Sequence, residues 1–368
     1  MKPAELYYFI GKCLSMDDDP QARRAVEAII SAGKVPWEDF VWMGSSHLVL
    51  PALYSVFGRN GVLPMLPADL ADYLSEIHAL NRDRNLKILA QSHELIRILN
   101  GAGIEPVFLK GAGHLLQELY PDNGDRIMSD IDILLSQEDL AKAACLLYEN
   151  GYFHPDEFND DNFEKHHHLP GFEHRDKIAM VEIHHSLFPG RYSKLISNAE
   201  IATEKRKLDG IDAWVLSYRH QVALNFVHDQ LVDDGFKYKA MVIKGLYDFF
   251  LMAKNEPEQN ATSILSGFNR KFNAYSFFAS ALFNHSQMIH YKSDFSAIRF
   301  KKQFDYLLNH PKMQAGYQLL VLNSLRLSEV LKVLFTAPFS RTSRRYILKK
   351  AGNTTKVKQY IRKLMSGE

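Results

Sequence analysis

The chain has 368 residues, of which 46% are hydrophobic and 24% are charged, and its formal net charge is +1 at pH 7. This is the composition of an ordinary globular protein, and the length is sufficient for two or three domains with well-buried cores. A net charge so close to zero gives no overall electrostatic attraction to nucleic acid or to a membrane, so neither is favoured as a partner.

Cysteine usage and hydropathy indicate the compartment. The two cysteines, Cys13 and Cys145, form neither a disulfide framework nor a metal-type pair, which fits a reducing cytoplasm. The first apolar run is interrupted by Glu5 and Lys12 and lacks a small-residue cleavage site, which argues against a signal peptide. No apolar run approaches the roughly 20 residues that span a bilayer. We therefore expect a soluble, cytoplasmic protein without a membrane partner.

The first hundred residues, 1–100, predict a helical region. Its longest uninterrupted segment is PADLADYLSEIHALNRDRNLKILAQSHELIRILN, which places Ile88, Leu95 and Leu99 on one helical stripe. The glycines that follow, beginning with Gly101, are typical of a helix C-terminus.

The middle of the chain alternates between strand and helix patterns. IEPVFLK and SDIDILLS predict buried strands, and GAGHLLQELY and QEDLAKAACLLYENG predict helices, the first of them entered by a glycine turn. HHHLPGFEH and IAMVEIHHSLF predict a hairpin around residues 175–177. The fold class is therefore α+β: an αβ core at residues 101–200 with a short mixed sheet, flanked by the helical N-terminal region and by a helical C-terminal domain at residues 201–368.

Two aspartates lie inside the second predicted strand. Alternate side chains of a strand share a face, so Asp130 and Asp132 point the same way while Ile131 and Ile133 enter the core. Two nearby carboxylates repel each other unless a cation lies between them. Hard carboxylate oxygens suit Mg²⁺ or Mn²⁺, and Glu182 on a later strand can supply a third ligand.

The turn before the first predicted helix, Lys110-Gly111-Ala112-Gly113, suits an anion. Small residues allow the backbone to approach a phosphate closely, and Lys110 adds positive charge. Arg126, four residues before Asp130, is placed to reach a phosphate from the connecting loop. Basic groups, a phosphate cradle and a carboxylate-bound metal are the parts that phosphoryl or nucleotidyl transfer requires.

Taken in order, FLKGAG, the loop arginine, SDIDILL and VEIHHSL resemble the DNA polymerase β-like nucleotidyltransferase superfamily, and specifically its bacterial "nucleotidyltransferase family" branch. The segments VPWEDFVWMGSSHLVLPALY and HQVALNFVHDQ…KGLYDFF extend the resemblance to roughly residues 35–250. One departure is the glycine turn, because the superfamily's Gly-Ser is Gly-Ala here.

The resemblance implies a minimal nucleotidyltransferase core and assigns roles by position. Asp130, Asp132 and Glu182 would be the catalytic, metal-binding carboxylates, with Glu182 also a candidate acceptor of the hydroxyl proton. The reaction would move a nucleoside monophosphate from an NTP such as ATP to an acceptor hydroxyl and release pyrophosphate. Mg²⁺ or Mn²⁺ would be the cofactor, and nucleotide would contact Lys110, Gly111, Ala112, Gly113 and Arg126. From the architecture alone, we expect the helical C-terminal half to supply much of the acceptor pocket.

Other hypotheses remain open. Six histidines at positions 166, 167, 168, 174, 184 and 185 suggest zinc, but they lack a recognised ligand spacing; we expect His184 to lie near the site and contact substrate. His228-Asp229, with His220, Asp233 and Asp248, is compatible with a metal-dependent phosphohydrolase, although His228 and Asp248 read better as structural polar positions. A catalytically silent nucleotide-binding or regulatory module is the third alternative.

Two further features complete the interpretation. Residues Arg341 to Gly367 contain nine Lys/Arg and no acid, a basic tail that we expect to be a solvated helix face, with RNA as a less favoured partner. Cys145 lies on an apolar helix stripe and is expected to be buried. Neither the acceptor, nor the choice of NTP, nor the oligomeric state follows from these patterns.

Overall fold

The computed structural model describes residues 1–154, 167–255, 261–284, 289, 291–336 and 338, and all structural statements below refer to these residues. The chain forms two compact units. The first comprises Met1–Phe236 and Met241–Lys302, and the second comprises Lys237–Ala240 and Gln303–Glu368. The basic tail from residue 341 onward lies outside the described residues, as does His166.

Helices make up most of the described chain, because apolar residues recur at helical spacing through both of its ends. They are α1 Pro3–Leu14, α2 Pro20–Ser31, α3 Trp37–Ser46, α4 Leu50–Arg59, α5 Ala68–Gly101, α6 Lys110–Leu116, α7 Leu140–Glu149, α8 Asn198–Glu204, α9 Tyr218–Phe226, α10 Gly235–Tyr238, α11 Ile243–Asn255, α12 Asn269–Phe283, α13 Phe295–Leu308 and α14 Pro311–Thr336.

One small mixed sheet lies in the first unit. Its strands are β1 Val107–Phe108, β2 Asp130–Leu134, β3 Met180–His184, β4 Arg206–Lys207 and β5 Trp214–Val215. Their order across the sheet is β3-β2-β1-β5-β4. The central strand β1 is antiparallel to β2 and parallel to β5, while β2 and β3 are parallel. The predicted α+β class is confirmed.

The long helix α5 forms one wall of the core that supports this sheet. Its apolar stripe, predicted from Ile88, Leu95 and Leu99, is fully buried and belongs to one cluster with residues of α6, α7 and the strands. Ile131 and Ile133 of β2 enter the same cluster. Because these two isoleucines anchor one face of β2, the aspartates that alternate with them, Asp130 and Asp132, are directed to the opposite face.

Three sequence expectations differ from the structure. The predicted hairpin has one regular strand, β3; the segment before it pairs only through isolated bridges such as Phe172–Val181. Strands β4 and β5 lie beyond residue 200, where only helices were expected, because two-residue strands carry no detectable alternation. Cys145 is exposed, whereas Cys13 is buried. The buried side of α7 consists of Leu140, Ala143 and Leu147, and Cys145 lies outside it.

The described helices were compared with the length and hydropathy that a membrane-spanning helix requires. No single helix is long and apolar enough to cross a bilayer, and the bent pair α3 and α4 meets the criterion only when its two helices are combined.

Candidate active site

The three predicted carboxylates converge on one face of two neighbouring strands. Strands β2 and β3 are parallel, and their register places Asp132 directly opposite Glu182. Asp130 lies two residues earlier on the same face of β2. The parallel pairing of β2 and β3 thus brings three acids together, although Glu182 lies 52 residues after Asp130 in the sequence.

Asp132 is the best-buried member of this carboxylate set. Only 1% of it is exposed, and its Oδ1 accepts hydrogen bonds from Lys110 Nζ at 2.8 Å and from His184 Nε2 at 2.7 Å. Burial alone would raise the pKa of Asp132, but the hydrogen bond from His184 and the charge of Lys110 outweigh it and lower the pKa. In return, Asp132 raises the pKa of both basic groups above their ordinary values despite their burial.

The other two carboxylates differ in electrostatics. The pKa of Asp130 is raised, first by burial and then by the negative charge of Asp132. The pKa of Glu182 is lowered, chiefly by the neighbouring imidazole of His184, whose Nε2 lies 3.6 Å from Glu182 Oε2. Three carboxylates facing two basic side chains leave a net negative charge, and this excess favours binding of a further cation.

The donor atoms at this site fit a divalent ion. One ligand atom each from Asp132, Glu182 and His184 lie within 4.8 Å of one another. Two of the three are carboxylate oxygens, and Asp130 on the same face adds a third carboxylate. Oxygen-rich sets of this kind suit Mg²⁺ or Mn²⁺ better than zinc, while a histidine bonded to a ligating carboxylate is a common outer partner that orients it.

Lys110 reaches this site from an unusual backbone conformation. Its φ is +43°, in the left-handed region that non-glycine residues rarely adopt. Only Leu109 separates this residue from strand β1, and Lys110 is the first residue of α6, so this conformation turns the chain sharply from sheet to helix. Its Nζ nevertheless reaches Asp132 in β2. A strained residue that binds a buried carboxylate is often part of a functional site.

The glycines of the turn have packing roles. A Cβ on Gly111 would lie 2.6 Å from Arg126 Nη1, and a Cβ on Gly113 would lie 2.8 Å from the carbonyl oxygen of Phe108. Ala112 between them is 1% exposed and belongs to the core. Close approach of protein groups is therefore sufficient to explain both glycines.

Arg126 is buried and paired rather than open to solvent. Its Nε and Nη2 donate to Asp248 Oδ1 at 2.9 Å and to Oδ2 at 2.8 Å, a bidentate pair in which both side chains are less than a tenth exposed. Tyr120 donates a further hydrogen bond to Asp248 at 2.5 Å. These contacts join the loop before β2 to helix α11, and they confirm the structural role expected for Asp248.

Side chains of α5 hold the backbone of the same loop. Asn81 donates to the carbonyls of Gly124 and Arg126 at 2.7 and 3.1 Å, and Asn85 donates to those of Asn123 and Arg126 at 2.6 and 2.8 Å. These bonds explain why two asparagines are buried in the middle of a long helix. They fix the loop that leads into Asp130 and Asp132.

Lys244 is a basic residue near the site that sequence analysis did not identify. It is half-buried at the start of α11, and within the described residues its ammonium group has no ion-pair partner. Its pKa is lowered, first by burial and then by the charge of Arg126, while Asp130 and Asp248 act in the opposite direction. The sequence signal that could have identified Lys244 is a second Lys-Gly pair, at the start of KGLYDFF, which matches the Lys110-Gly111 of the glycine turn.

His228 also lies in the electrostatic neighbourhood of Lys110. It belongs to a π-helical segment, Val227–Val232, that continues α9, and single π-turns within helices are frequent at functional sites. Its Nδ1 lies 3.5 Å from Asp229 Oδ1 and 3.2 Å from Asp233 Oδ2, and these two carboxylates raise its pKa to about 9.

The phosphohydrolase set does not assemble. His228, Asp229 and Asp233 form one group, but His220 pairs with Glu200 and Asp248 pairs with Arg126. The histidine-rich segment contributes His184 to the carboxylates, and the rings of His167 and His168 pack against it at 5.0 and 5.2 Å.

The family model for an uncharacterised nucleotidyltransferase matches residues 33–283, more than half of the chain and including every site residue described above. The chain belongs to this nucleotidyltransferase family. No curated protein and no solved structure matches it. The family membership accounts for the order of glycine turn, aspartate pair and third acid, and it supports nucleotidyl transfer as the activity of the site.

Proposed function

We propose that this nucleotidyltransferase is a metal-dependent enzyme of the DNA polymerase β-like superfamily that moves a nucleoside monophosphate from an NTP to an acceptor hydroxyl. The observation that carries the proposal is the opposed pair Asp132 and Glu182 on parallel strands, with Asp130 on the same face and two basic residues, Lys110 and His184, against them. A site built for stability alone has no reason to concentrate three acids on one face.

The three carboxylates form the metal site in this proposal, and His184 orients one of them. Asp130, Asp132 and Glu182 would hold Mg²⁺ or Mn²⁺, which when bound supplies Lewis-acid stabilisation of the charge that develops on the phosphoryl oxygens. His184 donates to Asp132 and fixes the direction in which that carboxylate presents its oxygens. This contact, rather than one to substrate, is the role that the geometry supports for His184.

The chemical step is an exchange of one bond at the α-phosphorus. The acceptor oxygen forms a bond to this phosphorus, the bond to the bridging oxygen of the β-phosphate breaks, and pyrophosphate leaves with that electron pair. The proton of the acceptor hydroxyl passes to the Glu182 oxygen that does not hold the metal; the Glu182 side chain is 18% exposed, whereas that of Asp132 is 1% exposed.

The triphosphate is proposed to lie against Lys110 and Lys244. Lys110 stands beside Asp132, and Lys244 is a half-buried lysine in the field of Asp130 whose ammonium has no ion-pair partner within the described residues. A bound phosphate would give this half-buried ammonium group an ion-pair partner, which offsets the cost of removing its charge from water. Arg126, Gly111, Ala112 and Gly113 remain proposed nucleotide neighbours, but their packing supports an indirect role in which they shape the turn.

Nucleotide binding gives the first test, because it needs no knowledge of the acceptor. The melting temperature is measured with each of the four NTPs, with and without Mg²⁺ or Mn²⁺, for the wild type and for Asp130→Asn/Asp132→Asn. A ligand present at about 100 times its Kd adds about 2.7 kcal/mol to the free energy of unfolding. We expect a metal-dependent shift with at least one NTP that the double variant lacks.

Lys244→Gln sharpens this test, and Lys254→Gln is its matched control on the same helix. Lys254 pairs with Asp18, away from the carboxylates. Loss of one charge-assisted contact to phosphate corresponds to about 1.5–3 kcal/mol, or a roughly tenfold to hundredfold weaker Kd. Equal affinity of the two variants would contradict the role given to Lys244.

Turnover separates the enzyme from a silent binding module. With a nucleotide identified, incorporation of labelled monophosphate into candidate sugars, small metabolites, proteins and RNA ends is measured. Binding without any transfer would favour a regulatory module, and NTP hydrolysis that survives Asp130→Asn would favour a hydrolase instead.

A further inference from the structure

The π-helical segment Val227–Val232 borders the candidate active site but has no part in the reaction proposed above. It continues α9, and a short π-turn inside a helix often marks a functional site. Its His228 is 39% exposed, and His228 Nδ1 lies 3.5 Å from Asp229 Oδ1 and 3.2 Å from Asp233 Oδ2. The sequence suggested a structural role for His228, but the contacts of the segment lead to the site.

Helix α11 connects this segment to the site. Asp229 packs against Gly245, where a Cβ would lie 2.1 Å from Asp229 Oδ2, and Asn225 of α9 donates to the carbonyl of Gly245 at 2.8 Å. Burial lowers the pKa of the preceding residue, Lys244, and Asp229 is one of the charges that oppose this effect. The glycine at position 245 therefore allows the π-helical segment to pack closely against the start of α11, beside the lysine proposed to contact the triphosphate.

His228 also interacts with groups on the other side of the carboxylates. Asp229 and Asp233 raise the pKa of His228 to about 9, and the charge of Lys110 acts against them. The pKa of His167 is lowered chiefly by burial, and His228 lowers it further. Because charges interact appreciably only over short distances, His228 lies near the start of α6 and near the segment that precedes β3.

The protonation of His228 argues against a metal ion at this histidine. His228, Asp229 and Asp233 offer ligand atoms within 4.8 Å of one another, but a metal requires an unprotonated imidazole, and here the two carboxylates hold the proton on the ring. Both nitrogens of a charged imidazole are donors, and the contacts to the carboxylates use Nδ1. Within the described residues Nε2 has no hydrogen-bond partner, so it is available to an anion.

We propose that His228 binds the β- and γ-phosphates of the NTP through Nε2 and holds the pyrophosphate group while the α-phosphorus is attacked. This inference rests on the proposed function and adds a third basic residue to Lys110 and Lys244. Lys110 donates directly to Asp132 of the carboxylate set, whereas His228 makes no bond to that set within the described residues. His228 is therefore placed for the phosphates that extend beyond the metal.

The charge of the substrate explains why a further cation is useful here. A triphosphate remains anionic after a divalent metal has bound it, and pyrophosphate gains negative charge when it leaves with the electron pair of the broken bond. A cation fixed in position before the reaction stabilises this charge without reorganisation. Asp229 and Asp233 hold the imidazole of His228 in its charged form, so the ring donates a hydrogen bond and keeps its proton.

Calorimetric titration of the full chain tests the role of His228. It gives the Kd of each of the four NTPs, of the corresponding NMPs and of inorganic pyrophosphate, all with Mg²⁺. His228→Gln removes the charge but keeps a side chain that can donate a hydrogen bond. His93→Gln is the matched control, because His93 is an exposed histidine of α5 that lines a groove with Arg97 and Asp212. Melting curves verify that both variants are folded.

The expected result is a selective loss of affinity. His228→Gln should bind the NTP and pyrophosphate roughly tenfold more weakly than the wild type, since a hydrogen bond to a charged group usually contributes at least this much. Its affinity for the NMP should not change, because the NMP lacks the phosphates that His228 contacts. His93→Gln should bind every ligand as the wild type does.

A second variant tests the charge of His228 separately from its shape. Asp233→Asn removes one of the two carboxylates that raise the pKa of His228, so this pKa should move toward the ordinary value of 6.5, while Asp229, Lys110 and His167 still face the ring. At pH 6 the ring is charged in both proteins, and they should bind pyrophosphate alike. At pH 8 the variant should bind several-fold more weakly, because part of its imidazole has lost the proton.

Three results would overturn this inference alone. They are unchanged affinity of folded His228→Gln for NTP and pyrophosphate, an equal loss of affinity for the NMP, and a ratio of wild-type to Asp233→Asn affinity that is the same at pH 6 and pH 8. Failure of the proposed function gives a different pattern. In that case the wild type binds no NTP, or Asp130→Asn/Asp132→Asn binds it equally well, and the inference is overturned together with the proposed function.

Discussion

Two clusters of acids and bases lie on either side of the glycine turn, and they are built differently. Around Asp248 the charges are balanced: one guanidinium is paired with one carboxylate, and Tyr120 donates to the same carboxylate. Around Asp132, three carboxylates face Lys110 and His184, and one of them, Asp130, has a raised pKa. The side chains of the balanced pair are both less than a tenth exposed, whereas in the unbalanced cluster Lys110 is 26% exposed and Glu182 is 18% exposed. A charge cluster that is left unbalanced is the better candidate for binding a ligand.

The largest effect is expected from breaking the balanced cluster. Asp248→Asn removes the partner of a buried guanidinium, and breaking such a pair costs about 3–5 kcal/mol. The pKa of Asp248 is lowered in the folded protein in spite of burial, mainly by the charge of Arg126. Its stabilising contribution is therefore complete above the unfolded value of 3.8 and is lost only as pH falls below it. Urea unfolding at neutral pH measures the difference.

A double variant is the control for this prediction. Arg126→Met/Asp248→Leu leaves no unpaired charge, so it should recover part of the stability lost in Asp248→Asn. A stability loss in Asp248→Asn below about 1 kcal/mol would contradict the buried, balanced description of this cluster.

The turn between the clusters gives the next effect. In Gly113→Ala the new Cβ would lie 2.8 Å from the carbonyl oxygen of Phe108, a backbone atom that cannot move aside without distorting β1. We expect a loss of about 1–3 kcal/mol in the free energy of unfolding, the usual cost of overpacking. Gly101→Ala, at a helical position with no atom within 4 Å of the new Cβ, is the control and should stabilise slightly.

The unbalanced cluster should respond in the opposite direction from the balanced one. Asp130 ionises less readily in the folded protein, so its charge opposes folding at neutral pH. Asp130→Asn should therefore leave the melting temperature unchanged or raise it, while the metal-dependent nucleotide shift disappears. Asp132→Asn, which loses hydrogen bonds from Lys110 and His184, should lower the melting temperature instead. A clear destabilisation by Asp130→Asn would show that the aspartate is structural.

The smallest effect concerns the histidine of the π-helical segment. Asp229 and Asp233 raise the pKa of His228 from 6.5 to about 9, so the folded state holds this proton more tightly than the unfolded state. The stability that His228 contributes should be complete below pH 6.5 and should vanish as pH rises through about 9. NMR titration gives the pKa directly, and Asp233→Asn should move it back toward the ordinary value. Because the side chain is 39% exposed, the change in stability should be small.

How much the sequence predicts depends on the range of each interaction. The α5 stripe, strands β2 and β3 and the shared face of Asp130 and Asp132 follow from periodicities within a few residues, and the structure confirms them. The two-residue strands β4 and β5 lack any such periodicity.

The sequence by itself determined the order of chemical groups: the Lys-Gly turn, the aspartate pair and the later acid, from which the nucleotidyltransferase family can be identified. Only the tertiary structure decided which charges meet. It opposed Glu182 to Asp132, paired Arg126 with Asp248, and brought Lys244 into the field of Asp130. The reason is physical: periodicity reports which face of an element a side chain occupies, but the energy of a charge depends on burial and on partners that packing supplies from elsewhere in the chain.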